Sequence, residues 1–133
     1  MQYMLLIYLD ENSQSQIERE HCYRDTAQFA QHLNTTGQYR LAAPLHPTAT
    51  ATSVRVREGK RVVTDGPFAE TREQLGGFFL IDAKNLDEAI DIAAGIPAGR
   101  RGTVEIRPVI EVTGLPENNF TKHVDSAAAG STQ

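Results

Sequence analysis

The sequence predicts an α+β domain in which a β-α-β unit, a β-hairpin and a second β-α-β unit follow one another. Two continuous apolar segments, residues 3–9 and 78–81, are typical of central strands that are covered on both faces. Two amphipathic segments carry the capping signals of helices, and each of them follows a strand. Between these units, the alternating residues 52–57 precede a tight turn, which indicates a hairpin.

The first β-α-β unit begins with the strand at residues 3–9. Ser15 and Glu18 have the spacing of a capping box, so we expect a helix to start near residue 15. Small or apolar side chains then recur with helical spacing and predict one inward stripe, formed by Cys22, Thr26, Phe29, Ala30 and Leu33. Gly37 provides a C-terminal stop, and residues 39–45 are typical of a second strand.

The hairpin follows a segment that leaves the sheet, because His46-Pro47 cannot lie in a central ladder. Valines and arginines alternate along residues 52–57, Glu58-Gly59 supplies the turn, and residues 61–64 return as the partner strand.

The second β-α-β unit begins with a strand at residues 77–82. Asn85 is a predicted helix N-cap with Glu88 at the capping-box position. The predicted buried stripe of this helix consists of Leu86, Ala89, Ile90 and Ala93. Residues 103–112 form the last predicted strand, and Pro108 places that strand at an edge or at a bulge.

The composition is that of one ordinary globular domain of 133 residues, 40% of them hydrophobic and 23% charged. A formal charge of −4 with scattered basic residues argues against a nucleic-acid partner. Cys22 is the single cysteine, so no internal disulfide can form and we expect a cytoplasmic location. The apolar residues 3–9 are too few to span a membrane, so we expect no membrane association.

The composition changes after residue 112. We therefore expect a domain at residues 1–112 and a C-terminal tail at residues 113–133, whose end is small and polar. Such a tail is partly disordered, or it docks on a dimer partner through Leu115 and Phe120.

Two helices can cover only one face of a four-stranded sheet, yet both predicted central strands are apolar on both faces. An exposed face of this kind would be a larger apolar patch than monomers normally tolerate. We therefore expect a second copy to bury it, most simply in a two-fold homodimer.

One long segment also resembles a known family. Asp65-Gly66-Pro67-Phe68, followed by Ala69-Glu70-Thr71 and Glu73-Gln74-Leu75-Gly76-Gly77-Phe78, is similar to the signature of the DGPF-domain branch of the YCII-related family. The likeness extends to residues 1–8, 49–55 and 104–108, and it covers residues 1–112. The resemblance implies a ferredoxin-like protomer with an antiparallel sheet, which matches the predicted order of elements, and it implies a dimeric α/β barrel.

The resemblance does not carry over a catalytic mechanism. In the YCII proteins proper, a His and an Asp of the first helix are a proposed active pair. Counted back from Gly37, their places fall on Thr26 and Thr35 in this sequence. Neither threonine can reproduce that chemistry, so a His–Asp mechanism would require Asp65 and His46 to have taken it over.

Our leading hypothesis is a small-molecule site beside the Asp65-Gly66-Pro67 turn, where polar groups precede a strongly apolar strand. The candidate ligand contacts are Arg55, Asp65 and Glu70, and the candidate catalytic residues for acid–base chemistry are Asp65 and His46. Each residue also has a plainer interpretation. Asp65 suits an Asx-turn, Arg55 and Glu70 suit a solvated surface, and His46 suits a loop without chemical duty.

No motif predicts a metal or a cofactor. The chain has no His-x-x-x-His sequence, no paired cysteines and no Gly-rich phosphate loop before a helix.

The alternative hypothesis is a non-catalytic regulatory or accessory interaction protein. It comes from the resemblance, because members of this family are often encoded beside extracytoplasmic-function sigma factors. A polar-lined pocket that contains Asp65 would favour the ligand-binding hypothesis, whereas a pocketless surface would favour the interaction hypothesis.

Overall fold

The computed structural model describes residues 1–116. In it, two helices pack on one face of a four-stranded antiparallel sheet, and a two-stranded hairpin lies apart from this sheet. The elements in chain order are β1 (Gln2–Leu9), α1 (Gln16–Thr35), β2 (Tyr39–Pro44), β3 (Thr52–Arg57), β4 (Lys60–Asp65), β5 (Gln74–Asp82), α2 (Leu86–Gly95) and β6 (Thr103–Pro108).

The sheet has the strand order β2-β5-β1-β6, and all three neighbouring pairs are antiparallel. With the β3–β4 hairpin set aside, the chain follows β-α-β-β-α-β, which is the ferredoxin-like arrangement. The predicted fold class is therefore confirmed for the protomer. The two strands with continuous apolar sequence, β1 and β5, are the central pair.

The two faces of the central strands differ in burial. Tyr3, Leu5 and Ile7 alternate along β1 on the face that the helices cover, and all three are buried. Phe79 and Ile81 of β5 join them in the core. The opposite face, which we call the open face, carries apolar side chains that are half-buried or buried in the single chain: Met4, Leu6, Leu41, Phe78 and Leu80.

Helix α1 begins as predicted. The Ser15 side chain accepts a hydrogen bond from the Glu18 N–H at 3.2 Å, and the Glu18 carboxylate accepts one from the Ser15 N–H at 3.4 Å. The predicted stripe faces the sheet, but Leu33 is its only buried member. Cys22, Thr26 and Ala30 are half-buried because they line a cavity beneath this helix, and Phe29, also half-buried, packs on Phe79.

Helix α2 also begins as predicted, but its buried stripe differs from the prediction. The Asn85 side chain accepts from the Glu88 N–H, whereas the Glu88 carboxylate accepts from Gln38 at 2.8 Å instead of closing a capping box. The helix buries Ala89, Ile92 and Ala93, while Leu86 and Ile90 are 50% and 46% exposed. The prediction of a buried Leu86 and Ile90 is wrong. The apolar residues of this helix spread over more than half of its circumference, so their spacing does not show which of them face the sheet.

Strand β6 is shorter than predicted. It ends at Pro108 rather than at residue 112, because Pro108 lies opposite Tyr3 and the partner strand β1 has only one residue, Gln2, before it. Val109 still donates to the Gln2 carbonyl at 2.9 Å. As predicted from Pro108, β6 is an edge strand.

The hairpin has the predicted register and turn. Val54 lies opposite Val63 and Arg57 lies opposite Lys60. Glu58 and Gly59 both have positive φ, 52° and 74°, as a two-residue hairpin turn of type I′ requires. After β6 the chain turns at residues 113–115, and the predicted tail beyond residue 116 lies outside the described residues.

Candidate functional site

A cavity of about 560 Å³ lies between α1 and the edge of the sheet formed by β2 and β5. Small residues line both of its walls. Helix α1 contributes Cys22, Thr26, Ala27 and Ala30, and the sheet contributes Ala42, Gly76 and Gly77. The space stays open because none of these side chains is long enough to fill it.

The walls of the cavity are mainly apolar. The larger apolar lining residues are Ile7, Leu9, Pro44, Leu45, Phe78 and Phe79. Polar side chains that are exposed or half-buried also line it: Glu11, Gln14, Arg19, Tyr23, Gln31 and Asn34. An apolar body with a few polar groups is the usual construction of a small-molecule site.

Glu11 fixes one end of the cavity. Its carboxylate accepts hydrogen bonds from both the Thr48 N–H and the Thr48 hydroxyl, each at 2.8 Å. Its own N–H donates to the Gln74 side chain at 3.2 Å, and Arg19 donates to its carbonyl at 3.5 Å. Glu11 therefore joins the segments that follow β1 and β2, and it acts as a structural carboxylate here.

Two buried side-chain atoms in the described part of the chain lack a hydrogen-bond partner, Thr26 Oγ1 and Arg40 Nε. Both residues belong to the lining of the cavity. The rest of the Arg40 guanidinium is engaged, since it pairs with Asp82 and donates to the carbonyls of Gly37 and Tyr39. Buried polar atoms normally have partners, so two exceptions at one cavity are notable.

The positions that correspond to the His and Asp of the YCII proteins do not meet at this cavity. Thr26 lies in its wall, whereas Thr35 is exposed, donates to the His32 carbonyl at 2.6 Å and does not line it. Cys22, which the sequence predicts to be a small core residue, is half-buried in the cavity wall.

The four site residues predicted from the sequence lie outside the cavity lining. Asp65 ends β4 and is exposed, as are Glu70 and His46. The Arg55 guanidinium carbon lies 5.1 Å from the centre of the Phe68 ring, a cation–π contact that joins the hairpin to the segment after it. Their contact with a ligand stays a prediction.

The turn after Asp65 closes the base of the hairpin. The Gly66 N–H donates to the Ala51 carbonyl, and the Ser53 hydroxyl donates to the Gly66 carbonyl, both at 2.8 Å. Gly66 has a φ of 104°, so the turn uses the conformational freedom of glycine. Within residues 1–116, the Asp65 carboxylate accepts no hydrogen bond, so the Asx-turn interpretation also stays a prediction.

The start of α1 carries a charged contact beside the cavity. The Arg101 guanidinium lies 2.5 Å from the Glu18 carboxylate, and its hydrogen bond lowers the pKa of Glu18 below the ordinary value of 4.5. Hydrogen bonds from Ser15 lower that pKa further. Arg101 belongs to the short 3₁₀ helix Pro97–Arg101, which also contributes Ala98 to the cavity lining.

Sequence reasoning missed the cavity because its signal is an absence of large side chains. The stripe containing Thr26 and Ala30, together with Ala42-Ala43 and Gly76-Gly77, places small residues on three elements. Small residues on an inward helix stripe, opposite small residues on strands, are the pattern that would have indicated this space.

Residues 1–116 contain no candidate metal site and no candidate membrane-spanning helix. No three His, Cys, Asp or Glu side chains of this part lie close enough together to hold a metal ion. None of its helices is long and apolar enough to cross a membrane.

Comparison with known proteins assigns the chain to a family. The YCII-related domain family matches residues 1–113. An uncharacterised protein from Rhizobium meliloti (strain 1021) is 40% identical over 114 residues, which cover 82% of this chain and 92% of that protein.

A solved structure shares the fold. The 5-chloro-2-hydroxyhydroquinone dehydrochlorinase from Burkholderia phenoliruptrix AC1100, in complex with 2,5-dihydroxybenzoquinone, matches with a TM-score of 0.51 at 13% identity. The likeness covers 84% of this chain and 96% of that enzyme. The family match over residues 1–113 and the relative that is 40% identical show that this chain belongs to the YCII-related family.

Proposed function

We propose that this protein binds a small, mainly apolar organic molecule in the cavity between α1 and the β2–β5 edge. The observation that carries the proposal is the cavity itself, which has a volume of about 560 Å³ and largely apolar walls. Cavities of roughly 300–1,000 Å³ accommodate ligands of ordinary metabolite size.

A ring compound with oxygen substituents is the ligand class that we favour. The dehydrochlorinase that shares this fold holds 2,5-dihydroxybenzoquinone in its structure. The cavity described here offers apolar surface from Phe79 for a ring. Thr26 carries a hydroxyl group without a partner in the described chain; its oxygen is buried, and a rotation of the side chain would present it to an oxygen substituent in the cavity.

The proposal covers binding and not a reaction. Within the described residues, no histidine lines the cavity, so its walls hold no imidazole for proton transfer. Acid–base catalysis by Asp65 and His46, with ligand contacts from Arg55 and Glu70, stays a prediction about the hairpin side of the molecule.

The test is a calorimetric titration with 2,5-dihydroxybenzoquinone and a panel of substituted phenols. We expect Ala30→Leu to weaken binding by at least about tenfold, because the larger side chain occupies the cavity. The matched control is Gln28→Leu, which places the same side chain on the exposed side of α1. A second pair compares Thr26→Val, which removes the unpartnered hydroxyl, with Thr35→Val outside the cavity.

Intact mass is measured after each titration, since quinones add to thiols and Cys22 lies in the cavity wall. Equal affinity of Ala30→Leu and Gln28→Leu would contradict the proposed site. No binding of any panel member at millimolar concentration would favour the alternative, a non-catalytic interaction protein.

We further infer that the protein is a cytoplasmic homodimer in which a second copy covers the open face. The support is the chemistry of that face, where Met4, Leu6 and Phe78 form apolar surface that neither helix within residues 1–116 covers. A two-fold pairing of these faces would give the dimeric barrel that the resemblance implies. Docking of the tail, residues 113–133, on the partner stays a prediction.

A further inference from the structure

The charged residues in the lining of the cavity differ in how they are paired. In the described part of the chain these residues are Glu11, Arg19 and Arg40. Arg40 forms a salt bridge with Asp82. The Glu11 carboxylate accepts two hydrogen bonds from Thr48, each at 2.8 Å. The salt bridges of the described chain do not include Arg19, so the positive charge of Arg19 is the one left without a carboxylate partner there.

The sequence of α1 explains why Arg19 has no ion-pair partner on its own helix. Side chains three and four residues apart on a helix are neighbours. Around Arg19 these positions hold Ser15, Gln16, Cys22 and Tyr23, none of which carries a carboxylate. The guanidinium instead donates to the backbone carbonyl of Glu11 at 3.5 Å. This hydrogen bond is long, and it leaves most of the guanidinium donors available.

Arg19 lies on the side of α1 that faces the cavity. The lining residues of this helix recur every three or four positions, from Arg19 through Cys22, Thr26 and Ala30. Arg19 is half-buried. A charge that loses part of its hydration without gaining a partner of opposite charge is costly, and an anionic ligand would remove that cost.

The charged end of the cavity is separate from the place proposed for a ring. Arg19 and Thr26 are seven residues apart, which is about 10 Å along a helix axis. Gln14 also lines the cavity, three residues after Glu11, and it is half-buried. Its amide can donate a second hydrogen bond at this end. The arrangement suits a ligand with an apolar ring at one end and an anionic group at the other.

We propose that the ligand of this cavity is an aromatic acid, whose carboxylate pairs with Arg19 while its ring lies against the apolar walls. The inference rests on the small-molecule site proposed above and deepens it, because it assigns a negative charge to the ligand. A guanidinium holds a carboxylate with two parallel hydrogen bonds, a contact that a neutral amide cannot make. Arg19 is then the residue that selects acids over neutral ring compounds.

The first experiment compares acids with their amides by calorimetric titration. The probes are 4-hydroxybenzoate and 3-(4-hydroxyphenyl)propionate, each measured beside the amide of the same skeleton, and the two chain lengths sample the distance from Arg19 to the ring. At about pH 7 the carboxylic acids are ionised. At low salt, wild type should bind at least one acid about tenfold more tightly than its amide. Ala30→Leu should weaken binding of both members of that pair, because both rings occupy the cavity.

The second experiment removes the charge with Arg19→Met, which keeps much of the length of the side chain. The preference for the acid over its amide should fall from about tenfold to less than about twofold. A structural disturbance would weaken both probes and leave their ratio unchanged, so the ratio reports the charge. The matched control is Arg24→Met, which removes an exposed arginine of α1 outside the lining and should keep the full preference.

Salt provides an independent readout. The preference for the acid should shrink as sodium chloride is raised to about 0.5 M, because a half-exposed ion pair is screened, whereas the affinity for the amide should stay nearly constant. Equal affinity of wild type for acids and amides, or a preference that survives Arg19→Met, overturns the acidic ligand and leaves the small-molecule site standing. If acids, amides and neutral phenols all fail to bind, both proposals are overturned.

Discussion

Glu18 connects the start of α1 to the far end of the domain. It closes the capping box with Ser15 and pairs with Arg101, which lies more than eighty residues later in the chain. The lowered pKa of Glu18 follows first from its hydrogen bond with Arg101 and then from its bonds with Ser15. Both sets of contacts require the charged carboxylate.

A pH dependence of stability follows from the lowered pKa of Glu18. A carboxyl group whose pKa falls on folding stabilises the native state above its unfolded pKa, and this contribution disappears as pH falls through the folded pKa. We expect Glu18→Gln to lower the melting temperature at neutral pH. The difference from wild type should shrink below the ordinary value of 4.5.

The control for this prediction is Glu20→Gln, a carboxylate on the same helix for which the described chain shows no ion pair. Thermal melts from pH 7 to about pH 3 compare the three proteins. A Glu18→Gln difference that stays constant over this range would contradict a role for the charged carboxylate.

Residue-level prediction succeeded where the partners are close in sequence. Ser15 and Glu18 are three residues apart, so their capping box was visible in the sequence. The same spacing at Asn85 and Glu88 predicted a second capping box, but the Glu88 carboxylate accepts a hydrogen bond from the Gln38 side chain instead. That competitor is fifty residues away and becomes a neighbour only after folding.

Among the elements, α1 is unusual because it spans twenty residues and buries only Leu33 completely. Its residues from Arg19 to Asn34 line the cavity on one side, where the helix lacks the packing that stabilises most helices in proteins. We expect amides around Cys22 and Thr26 to exchange with solvent faster than those of β1 and β5, because local opening breaks few apolar contacts.

Hydrogen exchange followed by mass spectrometry checks this prediction. A ligand in the cavity should slow exchange in the first half of α1 by at least about tenfold, since opening then also requires the ligand to leave. Peptides from α2 serve as the internal control and should keep their rates. Protection in α1 equal to that in β5 without ligand would contradict a loosely packed helix.

Element boundaries were predictable where a local chemical signal ends the element. Gly37, which has a φ of 77°, lies just after α1 ends at Thr35, as the sequence predicts. The valines and isoleucine after Pro108 favoured a longer β6, but β1 begins at Gln2 and therefore offers those residues no strand to pair with. The stripe of α2 was mispredicted because Leu86 and Ile92 are equally apolar and lie on different sides.

For the whole molecule, the proposed dimer has its interface on the open face. We expect Leu6→Glu to give a monomer, because the substitution places a charge at the centre of an apolar interface. Sedimentation velocity measures the change. The melting temperature of wild type should rise with protein concentration, as it does when folding and dimerisation are linked.

Gln28→Glu provides the control for the dimer, since it adds the same side chain on the exposed side of α1. This variant should remain dimeric. If Leu6→Glu sediments as wild type does, the open face is not the interface.

The fold was predictable from the sequence and the cavity was not, for a physical reason. Strand β1 is predictable from its continuous apolar residues, and the hairpin turn is predictable from Glu58-Gly59. The cavity depends on small residues from α1, β2 and β5, such as Ala30 and Ala42, which come together only in the folded chain. The Asp65-Gly66-Pro67 turn led to the prediction of a site beside it, whereas in the structure this turn closes the base of the hairpin.

The closed base of the hairpin separates this segment from the residues that form the core. Ala51 and Gly66 are hydrogen-bonded neighbours, so the chain leaves the domain and returns to it at one point. Omitting Thr52–Asp65 would leave the β-α-β-β-α-β order intact. A change in the length or charge of this hairpin therefore leaves the residues of the core in place.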